Sequence, residues 1–412
     1  MNETITIRMT DLTSIDIQKI GIEQRIIVSV WSFHRTYQFK LVFSWITAFL
    51  LSNVSGHSQR DTSANWSVVI SVQGGFIIPH HESVNHLIQG HSKGAHVYVC
   101  RNTDGRKYWH HAYNFPECGI DFTAIHSGNT VQLGSLYSSS YLVNLPLNGN
   151  GQLSDLKHEG NNRFCHWIGL GVGLGYSTQR WDLETNHQAP MLGSRINAAI
   201  SLQYSVRLAS FKFGEFRAGL RVLHFSNGAF QLPNLGANNA GLFLSYASSR
   251  QVYRKHVTPV TPSIEKYIVS VGLLAGLKEI LPPNGQKYAV SVLSFLGEKR
   301  VSYKSSFGVG ADVLFDASSV AIMERRNGFN PEVGRAIQVG GVLSYSLFFD
   351  RLSLKMQQGI YLRDNFHLNT ALYHRFGLRY NIARGIFAQL SLKTHFAKAD
   401  YGEIGIGYTW RR

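Results

Sequence analysis

From Asn65 to the carboxyl end the chain alternates apolar and polar residues with a period of two, segment after segment, and that pattern leaves few folds open. Ile386, Ala388, Leu390, Leu392, Thr394 and Phe396 form one face of such a segment; Phe387, Gln389, Ser391, Lys393 and His395 form the other. Leu352, Leu354 and Met356 against Ser353, Lys355 and Gln357 repeat the design, as do Leu372, Phe376 and Leu378 against Tyr373, Arg375 and Arg379. Successive side chains on a strand point to opposite faces, so each segment reads as a strand with one apolar and one polar side. Roughly fourteen such segments, with twelve to sixteen possible, lie between turn residues, and no amphipathic helix of ordinary length interrupts them. That many strands must close into a barrel or stack as two sheets to hide their edges. The polar faces are rich in Lys, Arg and Gln, as a water-filled lumen requires. The expectation is therefore an all-β, antiparallel, membrane-spanning barrel, with a soluble sandwich as the alternative.

Composition supports the barrel. Hydrophobic residues make up 44% and charged residues 16%, with 39 glycines and 12% aromatics, which suits many turns and girdles of rings at two interfaces. The chain carries 40 Lys and Arg against 25 Asp and Glu, a net charge of +15. A basic surface seeks polyanions. No helix-turn-helix, zinc finger or RNA-binding motif occurs, and no run of five Lys or Arg, so anionic lipid is the expected partner and nucleic acid is not.

The segment from Lys40 to Ser52, K-L-V-F-S-W-I-T-A-F-L-L-S, has a basic start and an apolar core too short to span a bilayer. That is the layout of a secretory signal peptide, expected over 40–59. Residues 1–39 form a long extension ahead of it, possibly dispensable, and 60–412 are expected to be a single barrel domain. Removal of the first 59 residues leaves a charge of +14, so the basic character belongs to the exported part. Cys100, Cys118 and Cys165 show no CxxC spacing. A Cys100–Cys118 disulfide is allowed in an oxidising compartment, but spacing alone does not fix it.

One stretch carries chemistry. Leu223 to Asn239 reads L-H-F-S-N-G-A-F-Q-L-P-N-L-G-A-N-N. On a strand, Leu220, Val222, His224 and Ser226 share a face, so an imidazole and a hydroxyl project side by side. A histidine there can take the serine proton and make a nucleophile. Asn227-Gly228 follows and can turn the chain so that a backbone N–H or an amide meets a developing oxyanion. His224-Phe-Ser226-Asn227-Gly228, followed by Pro233-Asn234 and Gly236, resembles the active-site segment of the lipid A 3-O-deacylase (PagL-type) family, in particular the longer relatives called acyloxyacyl hydrolases. Trp109, Tyr113, Pro116-Glu117, the glycine-rich Gly169–Tyr176 segment and Gly193-Ser194-Arg195-Ile196-Asn197-Ala198 extend the likeness over Trp109 to Tyr246. The C-terminal third shares only general barrel character. The last segment, with Gly402, Ile404, Ile406, Tyr408 and Trp410 on one face, is similar to the final strand of outer-membrane barrels.

The resemblance implies an outer-membrane barrel, exported from a Gram-negative-type bacterium, that removes an ester-linked acyl chain from lipid A of lipopolysaccharide. It implies His224 as general base, Ser226 as nucleophile, and Asn227, Gly228 and Asn234 as groups holding the oxyanion or the site. The family's best-known members place a glutamate twelve residues after the serine; this chain has Asn238 there. An asparagine carbonyl still accepts an imidazole N–H but does not offset an imidazolium, and Glu117 and Glu184 are the carboxylates to inspect instead. His80-His81 and His110-His111 are adjacent pairs that in a strand point to opposite faces, and no metal motif occurs, so no metal and no cofactor are expected. A non-catalytic barrel, either a pore or a surface-binding protein, is the alternative. Oligomeric state is left open.

Overall fold

The computed structural model describes residues 66–147, 165–211, 213–248, 264–328, 331–396 and 398–411. The expected extension (1–39), signal peptide (40–59) and first residues of the barrel domain lie outside these. Eight strands form the first closed barrel: β1 (Trp66–Ile77), β2 (Ser92–Asn102), β3 (Glu117–His126), β4 (Ser135–Pro146), β5 (His166–Ser177), β6 (Ile196–Phe211), β7 (Gly214–Ser226) and β8 (Ala237–Ser248). Each pairs antiparallel with its sequence neighbour, and β8 closes on β1 from Val69↔Ala247 to Ile77↔Asn239. Eight more form a second: β9 (Tyr267–Glu279), β10 (Lys287–Arg300), β11 (Ser305–Asp316), β12 (Ile337–Phe349), β13 (Leu352–Arg363), β14 (Leu372–Ala383), β15 (Ile386–His395) and β16 (Lys398–Arg411). There β16 closes on β9, from Ile404↔Ala275 to Arg411↔Ile268.

The all-β barrel class is thus as expected, but the strands number sixteen among the described residues and divide into two barrels. Alternation reports which face of a strand is buried, not which partner closes the sheet, so period-two patterning reads the same in one large barrel or two small ones. The described residues also include one helix of ordinary length, α2 (Ala317–Asn327), after the single-turn α1 (Tyr108–Ala112). Asp316 caps α2 by accepting the Ser318 N–H, and Gly328 ends it in the left-handed region. It lies in a loop with only Ser318 and Ser319 buried, so it carries no apolar stripe for periodicity to find.

The polar faces point inward, but they do not line a channel. Arg375 bonds Asp312 at 2.7 Å and Glu403 at 2.8 Å; Lys278 joins Asp316 and Asp400, Lys393 joins Asp400, and Lys355 pairs with Glu298. In the first barrel Arg217 bridges Glu117 and Glu215, and Arg221 pairs with Asp121. An eight-stranded barrel is just wide enough for side chains to fill. Among the described residues these paired, buried charges stand where a wet lumen was expected.

The apolar faces point outward. Val72, Phe122, Leu174, Leu202, Leu220 and Leu244 are exposed around the first barrel; Leu273, Val309, Leu343, Leu390 and Ile404 are exposed around the second. Exposed rings gather towards the strand ends: Trp66, Phe211, Phe213, Tyr246, Tyr267, Tyr408 and Trp410 at one, Phe76, Tyr137, Tyr176 and Phe230 at the other. An outward apolar face of this kind is the pattern expected of a membrane-spanning barrel. In the second barrel one end carries tight connections (301–304, 350–351 and 384–385) and the other the longer loops (280–286, 317–336 and 364–371). Arg384 and Gly385 both take positive φ, the backbone of a two-residue hairpin turn that matches strand twist.

Cys100 and Cys118 are not joined to one another. Cys100 faces the interior of β2 while Cys118 sits on the outward register of β3, so neighbouring strands hold the two thiols on opposite sides of the sheet and no disulfide forms between them.

Candidate active site

β7 ends at Ser226, at the rim where the β1–β2, β3–β4, β5–β6 and β7–β8 connections meet. Those connections pack on a shared core of Ile77, Val84, Leu87, Leu133, Met191, Leu192 and Phe225. Along β7, Arg221, Leu223 and Phe225 are at most 1% exposed and point inward, whereas Leu220 is 56% and Val222 40% exposed. His224 and Ser226 share the outward register of those apolar residues, with Ser226 roofed over by the following loop.

His224 and Asn238 are opposite one another in the β7–β8 register, and His224 Nδ1 lies 2.6 Å from Asn238 Oδ1. Asn238 Nδ2 in turn lies 3.2 Å from His80 Nδ1, and His80 Nε2 lies 2.9 Å from the Leu235 carbonyl. His80 meets a carbonyl at each nitrogen, Leu235 at Nε2 and Ile78 at 3.2 Å from Nδ1, so either neutral tautomer of that ring is satisfied. Asn238 shows its oxygen to His224, which donates to it from Nδ1. The lone pair of His224 is left on Nε2, two residues from Ser226 on the same face of β7.

Ser226 Oγ accepts from Asn234 Nδ2 at 2.8 Å and from the Gly228 N–H at 3.2 Å. No hydrogen bond joins His224 to Ser226 among the described residues; a catalytic pair commonly tightens only around substrate. Asn227 does not turn towards the hydroxyl. Its Nδ2 donates to Ser194 Oγ and to the Gln231 carbonyl, both at 2.8 Å, and its backbone N–H donates to Asn234 Oδ1 at 3.1 Å. Asn227 therefore holds the loop, while Gly228 and Asn234 hold the serine.

The Gly193–Ala198 segment forms the shelf beneath. Ser194 receives Asn227, Asn197 Nδ2 donates to the Ser194 carbonyl at 3.0 Å, and a Cβ on Gly193 would meet the Gln231 and Leu232 backbone at 2.8 Å. Gly236 closes the loop with φ +84°, where a Cβ would come within 2.8 Å of His224 Cε1. Gly236→Ala should displace the imidazole and lower kcat by about 10²-fold, the usual effect of misplacing a reacting group by about 1 Å; single-turnover ester cleavage measures it.

Glu117 lies inside the barrel, bonded to Arg217 at 2.7 Å and to Asn144 at 3.0 Å, and Glu184 is exposed in the β5–β6 connection. Neither contacts His224, so among the described residues its partner is Asn238. His80 and His81 precede a short 3-10 helix (Glu82–Leu87) and His110 and His111 lie in α1. Neither pair is in a strand, and His80, which the adjacent-pair reading set aside, reaches the site. The contribution of His80 was invisible in the sequence because it comes from a connection far from the motif, whereas Ser194 lies in the Gly193–Ala198 segment that carried part of the resemblance.

The second barrel also touches this loop. Glu279, at the end of β9, donates its N–H to the Ala229 carbonyl at 3.0 Å and accepts the Leu232 N–H on Oε2 at 2.5 Å.

Comparison with known proteins agrees with this division. The model described as "Lipid A 3-O-deacylase (PagL)" matches residues 93–247, and the model described as "Acyloxyacyl hydrolase, C-terminal domain" matches residues 266–412. The first match runs from β2 to the end of β8, and the second coincides with the second barrel, where the sequence alone offered only barrel character. No curated protein matches the chain. Among solved structures, a triple mutant of Rhodopseudomonas blastica porin aligns over 84% of this chain and 99% of its own at 8% identity and a TM-score of 0.16. A second mutant of that porin reaches 0.17 with the same coverage and identity. Superpositions this loose carry no argument.

Proposed function

Since this chain belongs to the lipid A 3-O-deacylase (PagL) family, whose chemistry is ester hydrolysis, we propose that it is an outer-membrane enzyme in which Ser226, activated by His224, removes an ester-linked acyl chain from lipid A. The observation that carries the reading is the 2.6 Å contact from His224 to Asn238, which frees Nε2 beside a serine on the lipid-facing wall of the barrel.

Lipid A approaches sideways from the outer leaflet, its acyl chains against Leu220 and Val222. Arg195, exposed next to Ser194, is a cation available to a lipid phosphate. His224 Nε2 takes the Ser226 proton as Oγ attacks the ester carbonyl. Negative charge gathers on the carbonyl oxygen, where the Gly228 N–H and Asn234 amide are at hand. Collapse expels the sugar oxygen, which receives the proton from His224. Water, deprotonated by the same imidazole, then releases the fatty acid and regenerates the serine.

Asn238 supplies orientation without charge. In serine hydrolases an amide in place of the orienting carboxylate costs up to about 10⁴ in kcat when it imposes the wrong tautomer. Here the amide shows its oxygen and the tautomer is right, so only the missing charge remains to be recovered. Asn238→Asp, nearly isosteric and ionised at neutral pH, should raise kcat about tenfold at pH 8; an unchanged or lower rate would show that charge behind His224 is not limiting.

The direct test is mass spectrometry of lipid A from cells expressing the chain or its Ser226→Ala variant. Loss of one ester-linked acyl chain with the wild type alone is expected. Unchanged lipid A in the presence of folded wild-type protein would overturn the assignment.

A further inference from the structure

The second barrel reaches the site of the first. We propose that Glu279 of the second barrel is a positioning residue for the first: it clasps the loop that carries Gly228 and Asn234 and so holds both hydrogen-bond donors on Ser226. This inference rests on the hydrolase reading above.

The clasp has two arms. The Glu279 N–H meets the Ala229 carbonyl at 3.0 Å and its Oε2 meets the Leu232 N–H at 2.5 Å. These attachment points lie between the two donors in sequence: Gly228 precedes the first and Asn234 follows the second. A loop pinned at 229 and 232 has little freedom to swing either donor away from Ser226 Oγ.

That loop needs an external hold. Gly228 and Ala229 both take positive φ, 62° and 61°, and a left-handed alanine is a strained backbone that surrounding contacts must offset. The second barrel supplies more than one such contact. Gly228 packs so close to the outer face of β16 that a Cβ on it would lie 3.1 Å from the Gly402 nitrogen. Gln231 Nε2 reaches Asn284 Oδ1 at 3.4 Å, and Lys287 Nζ lies 5.1 Å from the Phe230 ring centroid.

Glu279 is chemically committed to this task. Its side chain is fully buried, Lys287 Nζ approaches Oε2 at 3.1 Å, and Oε1 has no hydrogen-bond partner among the described residues. A buried carboxylate with an unpartnered oxygen is costly. Barrel closure does not require one here, since Lys287 and Glu279 are already paired through the β9–β10 backbone register.

Three full-length variants test the clasp: Glu279→Leu, which removes the acceptor; Glu279→Gln, which keeps an oxygen for the Leu232 N–H; and Ser226→Ala as the inactive reference. Glu279→Leu should lower kcat about tenfold to 10²-fold with KM changed less than threefold, because the donors act on the transition state and not on lipid binding. Glu279→Gln should recover kcat to within about threefold of wild type. Hydrogen exchange gives a readout independent of activity. The amides of Leu232 and its loop neighbours should exchange faster in Glu279→Leu, with β7 and β8 unchanged. Wild-type kcat and unchanged loop exchange in Glu279→Leu would overturn the proposal. Absence of cleavage by the wild type would instead defeat the hydrolase reading, and the exchange experiment would still decide whether the clasp exists.

Discussion

Purified protein carrying Ser226→Ala is expected to release fatty acid from lipid A at a rate on the order of 10⁶ below wild type, at the level set by binding and the remaining donors alone. The size of the effect follows from what is lost. The alanine leaves Asn234 Nδ2 and the Gly228 N–H without the oxygen they hold at 2.8 and 3.2 Å, and water in its place has neither the serine's fixed position nor its proximity to His224. His224→Ala should reach a similar floor, and the double variant should fall no further, because the two groups act on a single proton transfer. Additive losses would show that they work independently. The barrel itself should be unaffected. Ser226 lies at the strand end and its side chain contributes no interior contact, so unheated electrophoretic mobility should match wild type. Retained activity in folded Ser226→Ala would rule out the serine mechanism.

Arg375→Met acts on the fold. Arg375 is 1% exposed inside the second barrel and contacts Asp312 at 2.7 Å, Glu403 at 2.8 and 3.3 Å and Gln357 at 3.3 Å. Tyr373 adds a further 2.8 Å bond to Asp312. Removing the guanidinium leaves two carboxylates enclosed with one cation fewer, and breaking a buried pair in this way costs about 3–5 kcal/mol. Urea unfolding in detergent should show that loss as an earlier midpoint with little change in slope. A triple variant, Arg375→Met with Asp312→Asn and Glu403→Gln, should regain most of it, since the penalty lies in uncompensated charge rather than in lost volume. A loss below about 1 kcal/mol would show that water enters the interior and solvates the stranded carboxylates.

The strands were the most legible part of the chain. On β15, Phe387, Gln389, Ser391 and Lys393 face inward and Ile386 and Leu390 outward, as the alternation in the sequence requires. What alternation does not encode is closure. The partner of β8 is β1, and nothing in the period of either strand names the other. Interior chemistry was misread for a related reason: Lys355, Arg375 and Lys393 signal a polar face, but whether that face meets water or Glu298, Asp312 and Asp400 depends on barrel diameter.

At the site, local spacing was informative and distant contacts were not. His224 and Asn238 lie opposite one another on two paired strands, so their meeting could be read from a short stretch. Within the turn, Asn227 and Asn234 were interchangeable as residue types, and backbone direction separated the one that braces the loop from the one that touches the hydroxyl. His80 and Glu279 approach from other connections, the latter from another barrel, and no spacing rule links them to Ser226.

The outward placement of His224, together with the apolar wall of Leu220 and Val222, has a kinetic consequence. On the function proposed above, substrate meets such a site by diffusion in two dimensions, and the fatty acid it releases is already dissolved in the phase that delivered it. The relevant concentration is then a mole fraction among lipids rather than a molarity in solution. Inert lipid or detergent mixed into the same surface should slow turnover by dilution, while adding more of the same mixed particles should have little effect once every protein is embedded.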